Sequence, residues 1–143
     1  MKVGFDTSVL VTALVDQLPH HEAAFGCLAA SCGSGEEAVV STHALAECYA
    51  TLTALPLRRR ISPGEARLLI SEGLENRLNV VTLDQGLYVR AMDRVALRGL
   101  ASGVIYDALH LLCAESAGCA RIYTFNLTHF QRLDPQGIQV MSP

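Results

Sequence analysis

Five short apolar runs punctuate the chain: KVGF at 2–5, AVVS at 38–41, LNVVTL at 78–83, ARIYTF at 120–125 and GIQVM at 137–141. Each has the length and continuous apolar character of a strand buried on both faces, and helix-like segments separate them. Strands that alternate with helices are joined by crossovers rather than hairpins. That predicts an α/β fold with a mostly parallel central sheet of four or five strands and helices covering both faces. In such sheets the ligand crevice forms from the loops that follow the carboxyl ends of the strands.

The intervening segments read as helices over 7–15, 21–30, 42–55, 62 to about 76, 85–97 and 104–117. Val9, Leu10, Ala13 and Leu14 mark the inner side of the first. Leu45, Cys48, Tyr49, Leu52 and Leu55 give the third its period, with Ser41 or Thr42 as N-cap. SPGE at 62–65 is a strong start signal, because Ser62 caps, Pro63 fits the first turn and Glu65 returns the hydrogen bond of a capping box. Leu68, Leu69, Leu74 and Leu78 cannot be divided between core and partner surface by pattern. CGSGEE at 32–37 and RGLASG at 98–103 interrupt the helices. With 143 residues, half of them hydrophobic and 17% charged, the composition is that of one folded domain spanning 1–143.

Several classes are excluded by what the chain lacks. Met1 leads directly into a strand-like stretch without the parts of a signal peptide, and runs such as VLVTALV are far below the roughly 20 residues that span a bilayer. The expectation is a soluble, cytoplasmic protein without a membrane partner. Cysteines at 27, 32, 48, 113 and 119 form no CxxC pair, and four of them sit in apolar segments. They read as buried thiols of a reducing compartment rather than a zinc cluster. A net charge of −3 argues against an overall basic nucleic-acid glove, though not against a local basic rim. Lys2 is the only lysine. Phosphotransfer folds that place an aspartate after the first strand need a late lysine to hold phosphoryl oxygens, so they do not fit.

Three carboxylates stand out against this apolar background. Asp6 interrupts MKVGFDTSVLVTAL immediately after the first run; it is either an N-cap worth about 1 kcal/mol or a metal ligand beside the Thr7 and Ser8 hydroxyls. Glu47, in THALAECY, lies inside an apolar helix, where glutamate is rarely buried unpaired, and only His43 lies within four residues as a basic neighbour. Asp107, in VIYDALHLLCAES, occupies the first turn of a strongly apolar helix, a position the helix dipole also favours. If the three meet in one crevice, repulsion and burial raise their pKa values. A hard, oxygen-preferring cation such as Mg²⁺ or Mn²⁺ resolves that conflict.

The series FDTSVL, THALAE, IYDALH and TFNLTHF, ending in IQVMSP, resembles the PIN domain, specifically the VapC-like toxin ribonucleases of type II toxin–antitoxin pairs. The resemblance runs over essentially the whole chain in the family's order. It implies a three-layer α/β/α sandwich and a homodimer. It also implies an Mg²⁺- or Mn²⁺-dependent endoribonuclease that hydrolyses RNA with metal-activated water and is inhibited by a small cognate antitoxin. Carried over residue by residue, it makes Asp6, Glu47 and Asp107 metal ligands, adds Ser8 to the site and gives Asn126 a catalytic place. Thr124 and Asn126 match the family series T-x-N-x-x-D-F, whereas His129 stands where that series has aspartate. Asn126 then offers a neutral oxygen to a metal or its water, and His129 is a candidate for binding Mn²⁺, contacting phosphate or carrying a proton.

An acidic pocket needs basic surroundings to receive RNA. The candidates are Arg58, Arg59 and Arg60, together with Arg90, Arg94 and Arg98, whose four-residue spacing puts them on one helix face that Asp93 dilutes. Tyr88 and Tyr106 are candidates for stacking on bases. Two other readings stand beside the nuclease. A catalytically weak PIN-like RNA- or protein-binding protein is suggested by Asn126 and His129, and a structure-specific DNA nuclease would need an arch for which the compact chain has little room.

Overall fold

The computed structural model describes residues 1–33 and 35–143; of the loop expected at 32–37, residue 34 lies outside the described residues. Five strands form one sheet: β1 (Lys2–Phe5), β2 (Glu37–Ser41), β3 (Asn79–Val81), β4 (Arg121–Tyr123) and β5 (Gln139–Met141). Their order is β3-β2-β1-β4-β5 and every neighbouring pair is parallel. The helices are α1 (Thr7–Leu14), α2 (His21–Ser31), α3 (Thr42–Ala54), α4 (Pro63–Ile70), α5 (Gln85–Leu97), α6 (Val104–Ser116) and α7 (Leu127–Gln131). The result is the three-layer sandwich expected of the sequence.

Alternation along the strands explains the layers, because successive side chains point to opposite faces of a sheet. Val3, Phe5, Ala38 and Val40 face a core built with α1 to α4, while Val39 and Ile122 face a second core built with α5, α6 and α7. Gly4 belongs to the second face. A Cβ there would lie 2.9 Å from Ala114 Cβ and 3.3 Å from Ile122 Cγ1, so α6 approaches β1 as closely as it does only over a glycine.

β3 and β4 are shorter than their apolar runs, for an identifiable reason: their flanking backbone donors go elsewhere. Leu78 N still bonds to Leu74 O (2.9 Å) before β3, Leu83 N is taken by Thr42 Oγ1 (3.3 Å) after it, and Phe125 N is taken by Ser8 Oγ (3.1 Å) after β4. The helix opened by SPGE has the predicted capping box, with Glu65 N to Ser62 Oγ at 3.1 Å and Ser62 N to Glu65 Oε1 at 3.3 Å. It widens into a π-helical turn over Ser71–Glu75. Leu74 and Leu78 join the core and Leu68 is exposed.

All five cysteines are free. Cys48, Cys113 and Cys119 are buried, and burial pushes their thiols up to about 12, 12 and 11, so they are inert core groups. The expectation of burial does not extend to Cys32, which is exposed at the end of α2. Among the described residues, no helix is long and apolar enough to cross a membrane.

Candidate active site

Because every strand runs the same way, all carboxyl ends share one edge of the sheet. The order of the chain reverses around β1, which lies between β2 and β4. This is where an open α/β sheet forms its crevice. Asp6 is the first residue beyond β1, Ser41 closes β2, and Thr124 follows β4.

Asp6 fills the capping role considered from the sequence and also faces the crevice. It caps α1, its Oδ1 accepting from Val9 N at 3.3 Å, and it lines the crevice. Ser8 Oγ donates to Oδ1 and Thr124 Oγ1 to Oδ2, each at 2.7 Å. The chain after β4 holds both hydroxyls in turn, with Phe125 N on Ser8 Oγ at 3.1 Å and Asn126 N on Thr124 Oγ1 at 2.9 Å. Only 2% of Asp6 is exposed, and burial raises its pKa against the pull of these hydrogen bonds.

Glu47 projects from α3, and its Oε1 accepts from His110 Nε2 at 2.6 Å. His43 Nε2 comes within 3.4 Å of the same oxygen, but without hydrogen-bonding geometry, so this buried nitrogen has no hydrogen-bond partner among the described residues. The His43 ring stacks on Tyr106 (5.1 Å between centroids, 11° between planes), and burial lowers its pKa.

Asp107 stands in the first turn of α6. Burial, reinforced by the Asp6 carboxylate, pushes its pKa up to about 6 against the opposing pull of His129 and His110. His129 Nδ1 lies 3.4 Å from Asp107 Oδ2 with its own side chain half exposed.

Asp6, Ser8, Glu47, Asp107, His110 and Asn126 line one cavity of about 390 Å³, and among the described residues no lysine or arginine lines it. Thr124 stands behind Asp6, and His129 touches Asp107 from outside. Carboxylates from three separate elements, joined by a neutral amide, are the donor chemistry of a hard divalent ion. Their positions are not those of a closed coordination sphere: among the described residues, no three His, Cys, Asp or Glu side chains stand close enough to hold a metal. Asp6 bonds to two hydroxyls, Glu47 to His110, and Asp107 pairs with His129. The donor set fits a hard cation in kind, and its members stand apart at one cavity.

The arginines are scattered. Arg58, Arg60 and Arg90 are exposed. Arg59 pairs with Glu65 (3.3 Å) and lines a separate groove of about 520 Å³ with Phe25, Leu57 and Ile61. Arg94 is engaged by Glu115 at 2.8 Å, and Arg98 bonds to Arg132 O at 2.8 Å, so the face of α5 is not an uninterrupted row of free guanidinium groups. Tyr88 packs against the second core, whereas Tyr106 is 47% exposed.

The sequence profile of the PIN domain matches residues 4–134. The chain belongs to the PIN-domain family. Within that family it is related to the VapC toxins of type II toxin–antitoxin systems, being 30% identical over 135 residues to Ribonuclease VapC40 of Mycobacterium tuberculosis, with 94% of each chain covered. Its fold is that of VapC20 from Mycobacterium tuberculosis, described as a sarcin-ricin loop cleaving toxin, with a TM-score of 0.74 at 17% identity over 95% of this chain and 98% of the other. VapBC2 from Rickettsia felis, solved bound to a DNA fragment from its promoter, matches with a TM-score of 0.70 at 16% identity over 100% and 99%. Family and fold support a nuclease-like toxin role.

One residue of this PIN-domain site was not singled out from the sequence. His110 reads as a core position in an apolar helix. The available signal was its spacing: three residues beyond Asp107, it shares that residue's side of α6.

Proposed function

We propose that this chain, as one PIN-like domain over 1–143, is a metal-dependent endoribonuclease and the toxin of a toxin–antitoxin pair. The observation that carries the reading is the gathering of Asp6, Glu47, Asp107 and Asn126 around one cavity at the reversal point of a PIN fold. Asp6, Glu47 and Asp107 would hold Mg²⁺ or Mn²⁺. Such an ion supplies Lewis acidity, easing loss of a proton from water and offsetting charge on the phosphodiester oxygens.

The protein's own groups do the positioning. Ser8 and Thr124 fix both Asp6 oxygens, so that carboxylate enters the reaction already oriented. Asn126 presents a neutral amide where a further carboxylate would add repulsion. His129, exposed beside Asp107, would meet a phosphate approaching that carboxylate. Arg58, Arg60 and Arg90 are the exposed cations available to the RNA backbone, and Arg59 and Arg94 are available only by exchanging their carboxylate partners. A cognate antitoxin, a homodimeric toxin and a cytoplasmic location complete the reading, supported by kinship with the VapC toxins.

The test is cleavage of structured and unstructured RNA by purified, antitoxin-free protein in Mg²⁺ and in Mn²⁺. Cleavage that disappears in EDTA and falls by at least about 100-fold in D6N and D107N is expected, the range that loss of one charge-stabilising group produces. No cleavage with either metal would favour the binding-protein reading, to which His129 and the dispersed donor positions lend weight. Preferential cutting of flap DNA would favour the DNA nuclease.

A further inference from the structure

We infer that His110 is a positioning residue that determines which oxygen Glu47 presents to the cavity, a role that rests on the nuclease reading above. The ring is 3% exposed and touches all three elements that carry the carboxylates. Its Nε2 lies 2.6 Å from Glu47 Oε1 on α3 and 3.2 Å from Thr7 Oγ1, next to Asp6 at the start of α1. Its Nδ1 lies 3.1 Å from Ser41 Oγ at the end of β2, and its own helix holds Asp107 three residues earlier.

Hydrogen-bond accounting puts a proton on Nε2. A carboxylate oxygen only accepts, so Nε2 carries the proton that bonds Glu47. Ser41 Oγ, which accepts from Ala44 N at 3.1 Å, can pair with Nδ1 as donor or acceptor. Both nitrogens thus face polar partners. Mere packing in an apolar helix would not require either nitrogen to face a polar group, still less one to face a carboxylate.

The consequence is asymmetric. Oε1 of Glu47 is occupied by His110, and among the described residues no hydrogen bond falls on Oε2. Glu47 therefore offers one defined oxygen to a cation, in the way a ligating carboxylate is oriented by a hydrogen bond from the protein behind it. Without the ring, Glu47 is free to rotate, and the gap between α3 and α6 loses its polar strut.

Gln and Met have similar length and volume, but only Gln can donate to Glu47, so H110Q and H110M separate the hydrogen bond from the packing. Mn²⁺ binding is measured on the full chain by electron paramagnetic resonance titration, with thermal melts confirming that each variant folds. H110M should bind about 10- to 100-fold more weakly than the wild type, and H110Q should recover most of that loss. Equal Mn²⁺ affinity in the wild type and a folded H110M overturns the inference. A second readout needs no variant: in ¹⁵N-labelled wild type, the His110 Nε2 proton should be present and should persist when Mg²⁺ saturates the site. Its absence, or its loss on Mg²⁺ addition, would mean that His110 does not hold Glu47 in the bound state. Failure of the wild type itself to bind Mn²⁺ would instead refute the metal-dependent nuclease and remove the basis of this role.

Discussion

Replacing Asp107 by asparagine should stabilise the metal-free protein at neutral pH while abolishing its nuclease activity. The carboxyl has an ordinary pKa of 3.8 and is pushed up to about 6 in the fold, first by burial and then by Asp6. Below pH 3.8 the group is protonated whether the chain is folded or not, and it adds nothing to the pH dependence. Between 3.8 and about 6 the folded state retains a proton that the unfolded state has released, so stability falls as pH rises through this window and stays low above it. Each pKa unit corresponds to 1.36 kcal/mol, which sets an upper limit of about 3 kcal/mol on the burden; solvent screening at the cavity mouth reduces it to about 1–2 kcal/mol. Asparagine has the same shape and no charge to desolvate. In EDTA at pH 7.5, D107N should therefore melt several degrees higher than the wild type, at roughly 2–4 °C per kcal/mol for a chain of this size. Its advantage should shrink as the pH is lowered towards 4. Saturating Mg²⁺ should reverse the order, because binding adds about 2.7 kcal/mol at 100 times Kd to the wild type and little to the variant. A D107N protein no more stable than the wild type at pH 7.5, or an advantage that fails to shrink with acid, would refute the claim that this carboxylate is held under strain for want of a cation.

Other substitutions probe the scaffold. Gly4→Ala should cost about 1–3 kcal/mol in urea unfolding, since the added Cβ meets Ala114 Cβ at 2.9 Å and neither side can yield without moving α6 from β1. An unchanged midpoint would show that α6 is not seated as closely as described. Arg94→Ala should lower stability by about 1–3 kcal/mol, because Glu115, largely buried and also accepting from Gln136 N at 2.8 Å, loses its cation. If R94A instead weakens RNA binding with no loss of stability, Arg94 belongs to the RNA surface after all. At Asp6, asparagine should preserve the cap and the melting temperature while removing cleavage, whereas alanine should lose cleavage and about 1 kcal/mol of stability as well; circular dichroism melts read the difference.

The layers were legible because strands buried on both faces have no polar alternation, and a chain that alternates them with amphipathic helices has few ways to cover them. Strand ends were not, because side-chain oxygens of Thr42 and Ser8 capture backbone donors that the apolar runs alone would assign to the sheet. Asp6, Glu47 and Asp107 could be picked out since charge in an apolar setting needs a reason. The His110 that bonds Glu47 from 63 positions away could not. The Glu115 that engages Arg94 lies 21 positions away on the next helix, and the Ser41 that meets His110 lies 69 positions away. Such contacts depend on how helices are seated on the sheet, which no local pattern encodes.

At Asp6 a helix cap and a crevice-facing acid are one physical arrangement. A carboxylate at the junction of β1 and α1 faces the free backbone donors of the helix on one side and the crevice at the sheet edge on the other. The donors it binds at Val9 N, Ser8 and Thr124 are what allow a 98% buried acid to stand beside Asp107 at all. They lower its pKa against burial without neutralising its charge, so its field still raises that of Asp107. Local capping chemistry thus holds one acid in place, and its field, only partly offset by His129 and His110, keeps the second from ionising as readily as an exposed aspartate would.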